Sequence, residues 1–293
     1  MTPDEILAYP ARVLSQSQRE SYFEHGYLLV EGLIDENTID HLQAVTDSYL
    51  NQSRLLSESD AFFDLAPEHC NARPMVRRFK APDVVDEYWQ FANGVVADVS
   101  ADLLGPNVTF HHSKLNFKWP MKSQSNAVGW HQDVPFYPHT NYNVLAVGTY
   151  LTDTLEKDGP IQVIPGSHED KLYELYDDSG NWTGKLKPKD AALLDENRAV
   201  SLPGPRGSIT IHHGRAVHGS QPSHGENPRP LLINAYVSAD AFPYTDGGAT
   251  LKNYRKIVRG KPASWAHHDP RPCPIPPDWS RGYTSIYEAQ SKK

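Results

Sequence analysis

The sequence predicts a mainly β protein with flanking helices. From Asn107 onward, short runs rich in β-branched and aromatic residues alternate with Gly, Pro, Asn and Asp punctuation. The first hundred residues instead carry helical spacing and cap residues. No β–α alternation runs through the chain, which disfavours a parallel doubly wound sheet and leaves an antiparallel sandwich or barrel. At 293 residues, with 39% hydrophobic and 22% charged, the chain can bury a sizeable core as one large domain or two modest ones.

Taken in order, Ser17-Gln-Arg-Glu20 has the pattern of a capping box, and Gly26 is placed to stop the helix it opens. "YLLVEGL" comes next as a short buried strand. Asp35 can cap a second helix whose Ile39, Leu42, Val45 and Tyr49 share one face. A third helical stretch runs from about Val84 to Leu104, with Gly94 as its weak point and Gly105-Pro106 as its stop. The strand series is then "NVTFHHSKLNFKW", "NVLAVGTYLTD", "GPIQVIPG", "GSITIHHG" and "RPLLINAYVSA". Periodicity leaves a jelly roll and an immunoglobulin-like sandwich both open. After Ala241 the chain is irregular, with six prolines between Pro262 and Pro277, and is expected to wrap over the core as extended chain. The expected organisation is a single domain over 1–293, with a helical part to 106, a β core over 107–241 and a Pro-rich wrap or lid over 242–293.

Composition excludes several partners. A net charge of −8 disfavours nucleic acid, which needs a basic face. The densest basic stretch, "RPMVRRFK", reads first as a solvated edge; its functional alternative is that Arg77 and Arg78 steer an acidic substrate. No apolar run approaches the roughly 18 residues that cross a bilayer, and the N-terminus lacks the basic-then-apolar layout of an export signal. With two cysteines, Cys70 and Cys273, a disulfide framework is not expected, and a reducing cytoplasm is the expected location.

Three His-x-Asp triplets stand out: His131-Gln-Asp133, His168-Glu-Asp170 and His267-His-Asp269. With 14 His and 22 Asp, about one is expected by chance, so context must choose between them. Two histidines and a carboxylate on one face of an Fe(II) ion leave three positions open for chemistry. Residues i and i+2 at a strand end point the same way and can supply two of the ligands. His267-x-Asp269 lies in Pro-rich chain, and His168-x-Asp170 reads as a surface loop. His131-x-Asp133 comes after "NAVGW", a strand opening, and several histidines lie downstream. His212 and His213 compete with His218 for the third place; on a strand they face opposite ways, so at most one faces the core. The stretch beyond His218 favours it, because Ser220 and Arg229 are spaced to return on the neighbouring strand. An arginine there could bind a carboxylate through two parallel hydrogen bonds.

"WHQDVPFYP", "LTDTLEKDGPIQVIPGSH", "HHGRAVHGSQPSHGENPRPLLINAY" and the N-terminal "YFEHGYLLVEGLIDENTIDHLQ" together resemble the phytanoyl-CoA dioxygenase family over roughly residues 17–240. The family consists of Fe(II)- and 2-oxoglutarate-dependent oxygenases on a double-stranded β-helix, a cupin-like jelly roll. The resemblance implies that His131, Asp133 and His218 bind iron and that Arg229 pairs with the distal carboxylate of 2-oxoglutarate, with Ser220 beside it. It implies a cosubstrate role for Lys118, whose bland alternative is an exposed strand lysine. It places Phe136 and Tyr137 on the substrate wall and His168 in a structural turn. Related halogenases lack the ligand carboxylate, so Asp133 favours hydroxylation of an aliphatic C–H, using O2 and releasing succinate and CO2.

The substrate implied is a small molecule, either anionic or carrier-linked, with no nucleic acid and no membrane; oligomeric state is left open. Two rival readings stand beside this one. A cupin-like zinc hydrolase or isomerase would use the same ligands without 2-oxoglutarate. A β-sandwich binding module would use no metal at all. The Pro-rich tail is expected either to close over the pocket or to serve a dimer contact.

Overall fold

The computed structural model describes residues 1–120, 126–245, 251–278 and 286–291. Helix α1 spans Pro3–Leu7 and α2 spans Gln16–His25. The capping box of α2 lies two residues upstream of the expected one: Ser15 Oγ accepts from the Gln18 N–H, and the Gln18 side chain accepts from the Ser15 N–H. Ser15 is the residue with extended backbone, whereas Ser17 already sits in the first helical turn. Gly26 ends α2 in the left-handed region at φ 77°. A Cβ there would lie 2.4 Å from His168 Nδ1, so both the turn and the close approach require glycine.

Strand β1 (Tyr27–Val30) and helix α3 (Glu36–Ser53), capped by Asp35, lie where the sequence places them. The helical texture of the first hundred residues conceals two further strands, β2 (Phe63–Leu65) and β3 (Val76–Lys80). The 84–104 stretch is two helices, α4 (Asp86–Ala92) and α5 (Val95–Leu104), broken at Asn93-Gly94. The remaining strands are β4 (Val108–Lys118), β5 (Val128–His131), β6 (Val144–Tyr150), β7 (Ile161–Val163), β8 (Val200–Ser201), β9 (Ile209–His213), β10 (His218–Ser220), β11 (Arg229–Ser238) and β12 (Ile257–Arg259).

Among the described residues these strands form two antiparallel sheets. The larger runs β1-β9-β6-β11-β4-β3-β2, with β12 also paired to β4; the smaller runs β5-β10-β7-β8. Neighbours far apart in sequence pair across both sheets, the connectivity of a double-stranded β-helix rather than of simple hairpins. Strand alternation produces three layers. One face of the large sheet, with Phe110, Leu115, Val147, Ile211, Leu232 and Tyr236, packs under the helices that contribute Ile39, Leu42, Tyr88, Val96 and Val99. Its other face, with Ala146, Tyr150, Leu231 and Ile233, packs on Ile161 and Val163 of the small sheet. The polar residues of that inner face line the site.

The tail crosses the core as extended chain: the Asp269 N–H donates to Thr140 O at 2.7 Å, and Tyr176 Oη donates to Ile275 O at 2.9 Å. Within it, β12 is a strand that its irregular composition hides. Cys70 and Cys273 are free thiols. Among the described residues no helix is long and apolar enough to cross a membrane.

Candidate metal centre

Strands β5 and β10 are antiparallel neighbours that place His131 directly opposite His218. After β5 the chain turns into a short 3-10 segment, Val134–Phe136. The N–H groups of Asp133 and Val134 both donate to Gly214 O at 2.9 Å, which fixes the turn and aims Asp133 at the two histidines. One ligand atom from each of His131, Asp133 and His218 lies within 4.8 Å of the others, and all three residues are buried. Each imidazole is oriented from behind: Nδ1 of His131 meets Gly129 O at 2.9 Å and Nδ1 of His218 meets Ala216 O at 3.0 Å. With Nδ1 donating there, Nε2 carries the lone pair. Those two Nε2 atoms stand 4.0 and 3.9 Å from Asp133 Oδ1, too far to bond to it and close enough for one ion to bridge all three.

The protonation states suit a cation. Burial pushes the His131 imidazole down to about 4 and His218 well below its usual range, so both are neutral ligands at neutral pH. Burial alone would raise the Asp133 carboxyl, but His212, His218 and Lys114 hold it well below the ordinary carboxylate range. His212 is the inward member of the His212-His213 pair, and its Nε2 lies 3.3 Å from Asp133 Oδ2. It occupies one carboxylate oxygen and leaves Oδ1 facing the histidines. His213 points to the helix side, where its Nδ1 accepts from the Arg215 N–H at 3.1 Å.

A second cluster lies on β4 and β11. Register pairs Arg229 with Lys118, and both side chains are buried, as is Ser220. Lys118 Nζ donates to Ser220 Oγ and to Gln221 O, each at 2.5 Å. Two hydrogen-bonding atoms of Arg229, Nε and Nη1, are buried without a partner among the described residues. Burial and the Arg229 charge push Lys118 down to about 6. Gly159 makes room for this lysine: a Cβ there would lie 2.9 Å from Lys118 Cδ. A buried guanidinium with open donors, beside a buried lysine that an arriving anion would help to protonate, fits a carboxylate-bearing guest.

Lys118 makes stability depend on pH. Unfolded, it keeps its proton up to the ordinary lysine value near 10.5, whereas folded and ligand-free it releases it near 6. Between those values the unfolded chain holds more protons, so this group makes stability rise with pH. Thermal melts of the ligand-free protein should gain more between pH 7 and 9 than melts of Lys118→Met. Equal gains would contradict the assignment.

The other expected residues divide. Tyr137 is brought to the site, its hydroxyl beside Asp133 without a hydrogen bond of good geometry. Phe136 packs on Trp182 with ring centroids 5.1 Å apart and touches His131 edge-on at 5.8 Å. Arg78 is buried, 3.6 Å from Asp64, and is no solvated edge; its strand neighbour Arg77 is half-buried and outside these contacts. His168 is buried rather than in a surface loop, with Nε2 on Phe23 O at 3.0 Å beneath Gly26. His267 and Asp269 are engaged separately, with Asp240 and Arg271. Motif spacing alone misses Lys114, His111 and His112, which share the cavity. For His112 and Lys114 the signal is strand period, since residues 112, 114, 116 and 118 of β4 face one way; His111 is turned inward by a bulge that the period does not reveal.

Residues 22–231 match the sequence model of a family described as phytanoyl-CoA dioxygenase. The chain is 29% identical to a probable alpha-ketoglutarate-dependent hypophosphite dioxygenase of Stutzerimonas stutzeri, covering 95% of this chain and 97% of that protein. It is 24% identical to the ectoine dioxygenase of Sphingopyxis alaskensis over 86% of this chain and 85% of that one. A solved structure of EctD from S. alaskensis with 2-oxoglutarate and 5-hydroxyectoine superposes with a TM-score of 0.66 at 20% identity, covering 92% of each chain. That likeness shows a shared fold.

Proposed function

Because the chain belongs to the phytanoyl-CoA dioxygenase family, we propose that it is a non-haem Fe(II) dioxygenase that consumes 2-oxoglutarate and O2 to hydroxylate a small molecule. His131, Asp133 and His218 hold the iron in this reading. The observation that carries it is the convergence of three ligand atoms within 4.8 Å, with both imidazoles tied back through Nδ1.

When bound, iron and 2-oxoglutarate supply dioxygen activation, one oxygen atom going to the substrate and the other to succinate as CO2 leaves. The protein's own residues bind, orient and exclude water. Arg229 and Lys118 neutralise the distal carboxylate of 2-oxoglutarate, with Ser220 fixing the Lys118 ammonium. Asp133 fills the ligand position that a halide would need, which favours hydroxylation over halogen transfer. His212 keeps Asp133 singly available to the metal. Phe136 braces the outer edge of His131.

A zinc hydrolase on the same ligands has no use for a buried arginine paired with a buried lysine where β11 meets β4, so the cosubstrate reading is favoured. The relative named for hypophosphite, aligned over 95% of the chain, supports a free small substrate over a carrier-linked acyl group.

Anaerobic protein given Fe(II) and 2-oxoglutarate is expected to develop the weak visible metal-to-ligand charge-transfer band of the chelate. Folded, iron-loaded protein with no such band would refute the proposal.

A further inference from the structure

We infer that the substrate is a small oxyanion, held beside the metal site by Lys114 in a cationic subsite separate from that of the cosubstrate. This rests on the oxygenase reading and adds the substrate class to it.

Strand β4 alternates, so His112, Lys114, Asn116 and Lys118 face the inter-sheet cavity, while Leu115 and Phe117 join the helix-side core. Four residues separate Lys114 from Lys118, about 13 Å along a strand. One five-carbon dicarboxylate anchored on Arg229 and on the metal ligands cannot neutralise both. Lys114 and His112 are half-buried on that face, and register pairs Lys114 with Ile233, which packs between the two sheets. The neighbour of Lys114 on that face, His112, meets Tyr137 at 5.4 Å between ring centroids, just past the Asp133 turn, and the Lys114 charge helps hold the Asp133 carboxyl low.

Charge compensation is missing at this end. Among the described residues no carboxylate lies within ion-pair distance of Lys114 Nζ. Arg78, across from Asn116 on β3, is ion-paired with Asp64 at 3.6 Å and leaves Lys114 as the uncompensated charge there. Asp133 is committed to the metal. Counting a ferrous ion, Asp133, a dianionic cosubstrate and the two cations that hold it, the site is already positive before Lys114 is added. With Lys114 charged the excess grows further, and a bound oxyanion lowers it.

Neutral polar groups complete the wall. Tyr137 Oη, at the Asp133 side, lacks a hydrogen-bond partner, and the His111 ring packs on Tyr137 at 4.6 Å between centroids. Nδ1 of His111 and Nδ1 of His112 are 2.7 Å apart. A hydroxyl and imidazoles around a lysine suit the several oxygens of an oxyanion. The balanced reaction is X–H plus 2-oxoglutarate plus O2 giving X–OH, succinate and CO2, with the oxyanion unchanged in charge.

The test is anaerobic calorimetry on protein loaded with Fe(II) and 2-oxoglutarate, titrated with hypophosphite, then methylphosphonate, then an acyl-CoA. Wild type should bind at least one of the small anions saturably, and that anion should stimulate succinate formation once O2 is admitted. Lys114→Met should weaken anion binding about 30-fold or more, and Lys114→Arg should recover most of it. The methionine variant removes a buried unpaired charge and should fold; retention of the chelate band and of 2-oxoglutarate affinity checks this. Binding of the acyl-CoA alone, or equal anion binding in wild type and Lys114→Met, overturns the inference while leaving the oxygenase reading intact. Absence of the chelate band in wild type overturns the oxygenase reading and this inference with it.

Discussion

His218→Ala is expected to release iron and to lower 2-oxoglutarate turnover by about three orders of magnitude, roughly 4 kcal/mol of lost transition-state stabilisation. Three groups would hold the ion in the proposed site, and losing one would leave a two-point site open to water. The substitution should leave the fold intact, since the β10 pairing to β5 and β7 runs through backbone hydrogen bonds. The control is His212→Ala. His212 reaches the metal only through Asp133 Oδ2, so its loss should cost about 10- to 100-fold in iron affinity. Iron content after anaerobic loading and gel filtration reads both variants. If His212→Ala emptied the site while His218→Ala kept it filled, the third ligand would be His212.

That choice between neighbouring histidines shows what pattern alone could and could not supply. Strand period states that His212 and His213 face opposite ways, but it cannot state which way is inward; register with Ala146 and Leu145 of β6 decides that. The long strands β4, β6 and β11 were legible because seven to eleven residues of β-rich texture outlast the noise. The three-residue strands β2 and β10 carry too few side chains to show a period, and pairing to neighbours defines them.

Arg78 misled for a different reason. A charged run normally marks a solvated face, and here one of its members is turned into the cavity wall beside Asp64. Lys114 was hidden in the same way, as an ordinary polar position on a half-buried strand. Motif spacing singled out three residues that the fold does bring together, because metal geometry demands fixed residue types. The inward placement of Arg78 and Lys114 obeys no such fixed pattern; it follows from the pairing of β3 with β4.

Arg229→Ala is expected to weaken 2-oxoglutarate binding by about 30- to 1000-fold, some 2–4 kcal/mol, while iron binds as before. The guanidinium is buried with open donors, and its removal leaves one end of a dicarboxylate without its bidentate partner. Part of the loss should be recovered locally. Arg229 is one cause of the depressed basicity of Lys118, so without it Lys118 holds its proton more firmly and takes up some of the charge. The effects of Arg229→Ala and Lys118→Met should therefore be non-additive, with Lys118→Met costing more in the Arg229→Ala background than alone. Arg229→Lys should restore charge but not the two parallel hydrogen bonds, and should fall between wild type and alanine. Anaerobic titration of 2-oxoglutarate against the chelate band compares the four variants with wild type. Equal loss of iron and of 2-oxoglutarate in Arg229→Ala would show instead that this arginine supports the sheet around the metal rather than the guest.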